Sequence, residues 1–312
     1  MIIILSYDAD RSTNKLIDWL KYLDCPFERV NLEIEDFRNL EYNFESNQIS
    51  VKLKLQSGEI LDFSNCAYFY NRGRKFKELK IENESQLPDF IFDKYILNEF
   101  TSIVNFFYEL INEKSIGSFY TQSHSKLNQL KLAQDVLLDI PKSILVQNNS
   151  LSNEFKYHPI ITKAVQDNIA IRHEGVLFIQ RVQMVDLESM EDLFYPSFFQ
   201  IEIKKAFEIR SFYLDGTFYS IQYYSNSKKI DMRDNYNSSI FEPFELPEFI
   251  EKKLREIMLK LRLNSGSIDL IKSTDGKYYF LEINPNGQYD WVSQYGGYDL
   301  DEKIAQFLKS KC

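Results

Sequence analysis

The sequence predicts a mixed α/β protein, with an open α/β domain at the N-terminus followed by two smaller α+β segments. Three observations predict it: a strand, a helix and a strand within the first 32 residues, a rapid run of short strand-like stretches near the middle, and two Asp-Gly hairpin signals in the last third. The chain has 312 residues, of which 44% are hydrophobic, enough for an ordinary buried core and for two or three domains.

Residues 2–5 are a short apolar run that reads as a buried strand. Ser12 or Thr13 can cap the helix that follows, which carries Leu16, Ile17, Leu20 and Leu23, and residues 27–32 resume a strand. Residues 66–70 form another strand candidate, followed by Asn71-Arg72-Gly73-Arg74-Lys75. Over residues 88–113, Phe92, Tyr95, Ile96, Phe100, Ile103, Val104 and Phe107 recur at helical spacing and close a first domain at 1–120. A serine-rich start at 123–126 then opens a helix through Leu127, Leu130, Ala133 and Leu137, which stops before Pro141. Strand-like pieces at 143–146, 160–163, 176–182 and 198–203 suggest a small antiparallel sheet, giving a central segment at 121–200. In the last segment, 201–312, Asp215-Gly216 and Asp275-Gly276 each separate runs of β-branched and aromatic residues, and helices are expected at 247–263 and 300–308.

Composition excludes several functions. The net charge of -9 gives no general attraction to nucleic acid or to an anionic membrane, since both need positive surface. The apolar N-terminal run is short, lacks a basic leader and meets Asp8, Asp10 and Arg11, so a strand fits it better than a signal peptide. Cys25, Cys66 and Cys312 are odd in number and far apart, which indicates neither a disulfide framework nor a cysteine zinc site, and a reducing cytoplasm is the expected setting. His124, His158 and His173 have no ligand spacing, and no Walker or GxGxxG motif occurs.

The one site that spacing alone predicts lies between Ile268 and Asn284. If Asp275-Gly276 is a two-residue turn, Thr274 pairs with Lys277, and counting outward sets Asp269 opposite Glu282. Strand side chains alternate, so Asn284 shares the face of Glu282, while Ile268, Leu270, Leu281 and Ile283 point the other way as core. Two carboxylates directly opposed call for a cation, and oxygen-only ligands favour Mg²⁺. A solvated acidic face is the competing reading, but it leaves Asn284-Pro285-Asn286-Gly287 without a purpose.

Gly266-Ser267-Ile268-Asp269 together with Phe280-Leu281-Glu282-Ile283-Asn284-Pro285-Asn286-Gly287-Gln288 resembles the C-terminal metal motif of ATP-grasp ligases, in the form used by graspetide (microviridin-type) synthetases. Further motifs agree along nearly the whole chain. Lys126, in Ser-Lys-Leu-Asn-Gln-Leu-Lys-Leu-Ala-Gln, and Lys163, after Pro159-Ile160-Ile161-Thr162, are similar to the two nucleotide-binding lysines. Phe199-Gln200-Ile201-Glu202-Ile203, with Arg210 ten residues past Gln200, resembles the adenine hinge and its following arginine strand, where Glu208 shares the face of Arg210. Asp231-Met232-Arg233 matches the family's Asp-x-Arg, and Tyr70-Asn71-Arg72-Gly73 approximates a motif of its first domain. The likeness is nearest to the "grasp-with-spasm" peptide maturases, although residues 166–174 lack the glycines with which many relatives cover the phosphates.

What the resemblance implies is an ATP-grasp fold, in which the two α+β subdomains sandwich ATP. It implies ATP and Mg²⁺ as cofactors, with the nucleotide held by Lys126, Lys163, Gln200, Ile201, Glu202, Ile203 and Glu208 and the metal held by Asp269, Glu282 and Asn284. Arg210, Asp231 and Arg233 take catalytic roles, and Arg72 a role in substrate binding. The implied activity is ADP-forming closure of ω-ester or ω-amide rings on a precursor peptide that carries a leader, in an enzyme free of nucleic acid and membrane and compatible with a homodimer. Two other readings share the motifs: a ligase that adds an amino acid to a peptide or protein terminus, and a nucleotide-binding regulator without chemistry.

Overall fold

The computed structural model describes residues 1–66, 68–71, 76, 82–83, 85, 88–118, 124–148, 153–165, 170–173, 176–179, 182–225 and 239–312. Strand β1 (Ile2–Leu5) leads into α1 (Arg11–Tyr22) and back to β2 (Phe27–Val30). Asp10, rather than Ser12 or Thr13, caps α1: its carboxylate accepts from the Thr13 amide and from the Ser12 hydroxyl. A capping carboxylate also meets the positive end of the helix dipole, which a serine hydroxyl does not.

A small antiparallel sheet follows, absent from the sequence-based expectation, made of β3 (Leu40–Glu45), β4 (Gln48–Lys54) and β5 (Ile60–Asp62). β6 (Tyr68–Asn71), helix α2 (Asp89–Asn112) and β7 (Ser115–Ile116) complete the first part, in which β2, β1, β6 and β7 lie side by side in one parallel sheet. The helix predicted over 88–113 is thus present as α2, with Val104, Phe107, Tyr108 and Ile111 buried.

Helix α3 (Lys126–Asp135), capped by Ser125, opens the second part. Strand β8 (Ser143–Asn148), the single turn α4 (Asn153–Lys156) and β9 (Ile160–Thr162) precede a hairpin of β10 (Ala170–His173) and β11 (Val176–Ile179), so the glycine-poor stretch after Lys163 includes a paired strand. β12 (Gln183–Met184) and β13 (Leu193–Ile201) close an antiparallel sheet in the order β12, β9, β13, β8.

The third part is built on a five-stranded antiparallel sheet of β14 (Lys205–Leu214), β15 (Thr217–Ser225), β16 (Ser239–Phe244), β17 (Ser265–Ser273) and β18 (Tyr278–Asn284), ordered β16, β15, β14, β17, β18. Helix α5 (Glu248–Lys260) covers one face: Ile250, Leu254, Ile257 and Met258 share a core with Ile209, Ile268, Leu270, Phe280 and Ile283. On the other face Phe212 and Ile221 share a core with α6 (Asp290–Gly296), α7 (Leu300–Lys309) and the N-terminal sheet, through Val292, Ile304, Ile2 and Ile4. Among the described residues no helix is long and apolar enough to cross a membrane.

The Asp215-Gly216 turn is the two-residue hairpin expected, with Leu214 paired to Thr217. The Asp275-Gly276 turn is not. Ser273 and Lys277 bracket a three-residue loop, joined by the Ser273 amide donating to the Lys277 carbonyl, and Gly276 takes the left-handed conformation at φ +87°. The register is therefore one residue off through Lys272 opposite Tyr278 and Leu270 opposite Phe280, until a bulge at Leu281 restores it. Asp269 does face Glu282, as counted, but Phe280 rather than Leu281 fills the core beside Ile268 and Leu270. Two departures of one residue each cancel at the functional pair.

Candidate active site

Three charged residues lie in one row across three strands: Arg210 on β14 opposite Asp269 on β17, which is opposite Glu282 on β18. They occupy the sheet face of Phe212, which follows Arg210 by two residues on β14. Arg210 donates from Nη1 to Asp269 Oδ2 at 2.5 Å, with both side chains largely enclosed. The Arg210 guanidinium also lies 5.7 Å from the centre of the Trp291 ring, in a wall of aromatics where Trp291 meets Tyr223 and Phe241 edge-on. Its Nε is buried and has no hydrogen-bond partner among the described residues.

Glu282 takes its counterion from a different part of the chain. Lys126, at the start of α3, places Nζ 3.2 Å from Glu282 Oε2 and 3.5 Å from the Ala164 carbonyl, just past β9. Lys163 adds its charge to the same cluster, where it acts on Glu282 together with Lys126. Within the row and its two lysines, three basic groups thus face two carboxylates. Each of the two opposed carboxylates has a basic neighbour, Asp269 in Arg210 and Glu282 in Lys126, so their mutual repulsion is already offset in part.

Protonation follows from burial and from neighbours. Burial pushes the Lys163 amine below its ordinary value, against the pull of Glu282. Burial opposes ionisation of Glu282 too, yet Lys126 and Lys163 hold it below the usual carboxylate value. Asp269 goes the other way, raised by burial and by Glu282 and restrained by Arg210. Burial also weighs against the Arg210 charge, but Asp269 keeps that pKa above the ordinary one. Glu208, two residues before Arg210, accepts from Tyr223 Oη at 3.2 Å and from Lys205 Nζ at 2.5 Å, so it braces the aromatic wall.

Asn284 is exposed at the end of β18, and its Oδ1 accepts from the Asn286 amide at 3.0 Å. The loop beyond it is tightly held. Asn286 receives the Ser118 amide on Oδ1 at 3.1 Å and donates from Nδ2 to the Ser118 carbonyl, hooking the loop to the end of the N-terminal part. At Gly287 any Cβ would lie 2.2 Å from the Cβ of Ser267, so the approach of the loop to β17 requires glycine.

The described residues contain no group of three or more His, Cys, Asp and Glu able to hold a metal. The oxygen set of Asp269, Glu282 and Asn284 fits Mg²⁺ only as part of a shell that phosphate oxygens and water complete, which is how that small, strongly hydrated ion is ordinarily bound.

Of the hinge, Gln200 is buried and donates to Ser143 Oγ at 2.9 Å, serving the sheet. The Ile201 and Glu202 amides donate to the Lys142 and Pro159 carbonyls, both at 2.9 Å. Neither the backbone N–H nor the C=O of Ile203 has a partner among the described residues. Arg72, Asp231 and Arg233 lie outside the described residues.

Gln129 was not singled out from the sequence. It is wholly buried, accepts the Ile283 amide on Oε1 at 2.7 Å, and donates from Nε2 to the carbonyls of Ile283 at 2.8 Å and His124 at 2.7 Å. Standing three residues after Lys126, it fastens that helix to the strand of Glu282 and so sets their separation. Gln129→Ala strands three backbone groups, and unfolding is expected to become easier by about 2 kcal/mol or more at roughly 1 kcal/mol or above per group. A thermal melt within a degree of the parent would contradict this role.

No protein-family profile and no curated protein sequence matches the chain. Solved structures do match. A Chryseobacterium gregarium RiPP-associated ATP-grasp ligase, in complex with ADP and a leader and core peptide, is similar at TM-score 0.80 and 24% identity, covering 100% of this chain and 97% of that one. The macrocyclase MdnC of Microcystis aeruginosa MRC, bound with its precursor peptide MdnA, is similar at TM-score 0.74 and 21% identity, with 99% of each chain covered. D-alanine–D-alanine ligase of Bacillus anthracis, complexed with ATP, is similar at TM-score 0.55 and 15% identity over 99% of this chain and 95% of that one. The chain has the ATP-grasp fold.

Proposed function

We propose that this chain is an ATP-dependent peptide macrocyclase, which activates Asp or Glu side chains of a precursor peptide as acyl phosphates and closes ω-ester or ω-amide rings. The observation that carries the reading is the row Arg210, Asp269, Glu282 with Lys126 and Lys163 above it, in a fold whose full length matches ligases solved with leader or precursor peptides. Lys126 and Lys163 neutralise phosphate charge, and Ile203 offers a backbone edge to adenine. Asp269, Glu282 and Asn284 would hold Mg²⁺, which would neutralise charge on the transferred phosphoryl group when bound.

The reaction balances in two steps. A substrate carboxylate oxygen attacks the γ-phosphorus and ADP leaves; a hydroxyl or amine of the same peptide then attacks the acyl carbon, phosphate leaves and a proton is lost. The net change in the peptide is loss of one water per ring. Arg210 stays charged throughout and presents a planar fork to the transferred group, while the aromatic wall limits water around it. The RiPP-associated ligase and the macrocyclase that the chain resembles over its full length were solved with a leader and core peptide and with a precursor peptide, which supports the ring-closure reading.

The test is incubation with ATP, Mg²⁺ and small peptides encoded beside the gene. One water should be lost per ring, with one ADP and one phosphate released in step. AMP and pyrophosphate would mean adenylation, and a gain in peptide mass would move the assignment to the amino-acid ligase. Nucleotide binding without turnover on any such peptide would favour a regulator.

A further inference from the structure

Cys25 and Cys312 stand 287 positions apart in sequence, yet their Sγ atoms are 3.0 Å apart. Both are free thiols, one buried and one exposed. Neither position is accidental in local structure. Past α1, Asp24 adopts φ +51°, and the Cys25 amide bonds back to the Leu20 carbonyl at 2.9 Å, so a helix-terminating turn aims Cys25 at the core. The final turns of α7 bring the Lys311 and Cys312 amides back to Leu308 and Lys309 at 3.0 and 3.1 Å. Lys309 then spans the two elements, donating from Nζ to the Leu23 carbonyl at 2.7 Å, a cation placed on the exposed carbonyl end of α1. The C-termini of α1 and α7 therefore meet in a fixed arrangement, and bond formation needs the sulfurs to close by only about 1 Å.

We propose that Cys25 and Cys312 are a reversible covalent modification site, closed to an intramolecular disulfide by low-molecular-weight disulfides of the glutathione class. The exposed Cys312 thiolate attacks one sulfur of the small disulfide, forms a mixed disulfide and expels a small thiolate. Cys25 then loses its proton and attacks Sγ of Cys312, expelling the second small thiolate. The two protein thiols are oxidised, and one small disulfide is reduced to two thiols. Burial holds the Cys25 thiol above its ordinary value, and this cause persists once Cys312 is a mixed disulfide, so the second step quickens as pH rises. The bond joins the N-terminal parallel sheet, through α1, to the part of the chain that carries Glu282, through α7. It does not depend on the ligase reading.

The experiment treats the reduced full chain with oxidised glutathione at pH 7 and pH 9, then titrates thiols after denaturation and weighs the intact protein. Three thiols should fall to one, with Cys66 remaining, and the mass should drop by two hydrogens, faster at pH 9. The thermal midpoint should rise by about 5 °C, because a cross-link across so long a loop mainly restricts the unfolded chain. Cys312→Ser should keep both remaining thiols and show no shift, and Cys25→Ser should stop at one glutathione adduct. Three persisting thiols, a glutathione adduct on the wild type that never closes, covalent dimers, or a bond to Cys66 would each overturn the assignment.

Discussion

Glu282→Gln is expected to reduce turnover by about 10³-fold or more while leaving nucleotide binding in place when Mg²⁺ is absent, because it removes charge stabilisation rather than phosphate-binding groups. The two halves of this expectation come from opposite sides of the residue. Toward α3, Glu282 neutralises Lys126 at 3.2 Å, so an uncharged amide frees positive charge for the phosphates. Toward the substrate, it is one of the oxygen ligands available to the metal, and that contribution disappears. Nucleotide affinity measured with and without Mg²⁺ separates the two: the parent should tighten on adding Mg²⁺ and the variant should not. Asp269→Asn should lose turnover similarly, but it also uncovers Arg210, so its melting temperature should fall further than that of Glu282→Gln. Turnover of Glu282→Gln within about tenfold of the parent at saturating Mg²⁺ would remove the residue from the metal site.

The pairing of Asp269 with Glu282 was reached by counting from the turn, and it holds because the extra loop residue and the bulge at Leu281 offset each other. The turn itself was misread: an Asp-Gly pair serves a two-residue loop and a three-residue loop equally well, and only the Ser273 to Lys277 bonding separates them. The bulge at Leu281 left no mark in composition, since Phe280, Leu281 and Ile283 are all plausible core residues, and tertiary packing against α5 selects Phe280. The helices α2, α5 and α7 were legible from their apolar spacing and from Pro88 and Pro247. Helix α3 has the expected Ser125 cap but ends at Asp135, with Leu137 beyond it at φ +58° and exposed, because Leu130 and Ala133 alone of the expected stripe face the core. The sheet β3, β4, β5 was passed over, although Val51 and Leu53 on β4 alternate with exposed lysines as in a half-buried strand.

The basic partners of the two carboxylates mark the limit of reasoning from a single segment. Lys126 lies 156 positions before Glu282, and nothing near either residue predicts a contact; it is produced by Gln129, whose amide takes both backbone groups of Ile283. The resemblance placed both lysines at the nucleotide, and the geometry adds that they also set the charge state of Glu282. Trp291 escaped notice for a similar reason: an aromatic in a helix reads as core until the sheet places Arg210 beneath it.

Arg210 is the residue at which removing the charge and altering its shape should have different effects. Arg210→Met leaves Asp269 enclosed beside Glu282 without its guanidinium, and losing one partner of a buried pair costs about 3–5 kcal/mol, so the variant should melt far below the parent. Arg210→Lys keeps a cation near Asp269 and near the face of Trp291, and its loss of stability should stay near 1 kcal/mol, the scale of one hydrogen bond. Its turnover should nevertheless fall about 10²-fold, since an ammonium cannot supply the bidentate fork or the Nε that has no partner among the described residues. ATP affinity should change little in the Lys variant, whereas Lys126→Ala and Lys163→Ala should weaken it directly. Thermal melts, nucleotide binding and ring closure measured on the four variants distinguish these cases. If Arg210→Lys turns over like the parent, the residue is a structural ion pair. If it loses ATP as severely as the lysine variants, it belongs to ground-state nucleotide binding, and the group that orients the reacting carboxylate lies elsewhere.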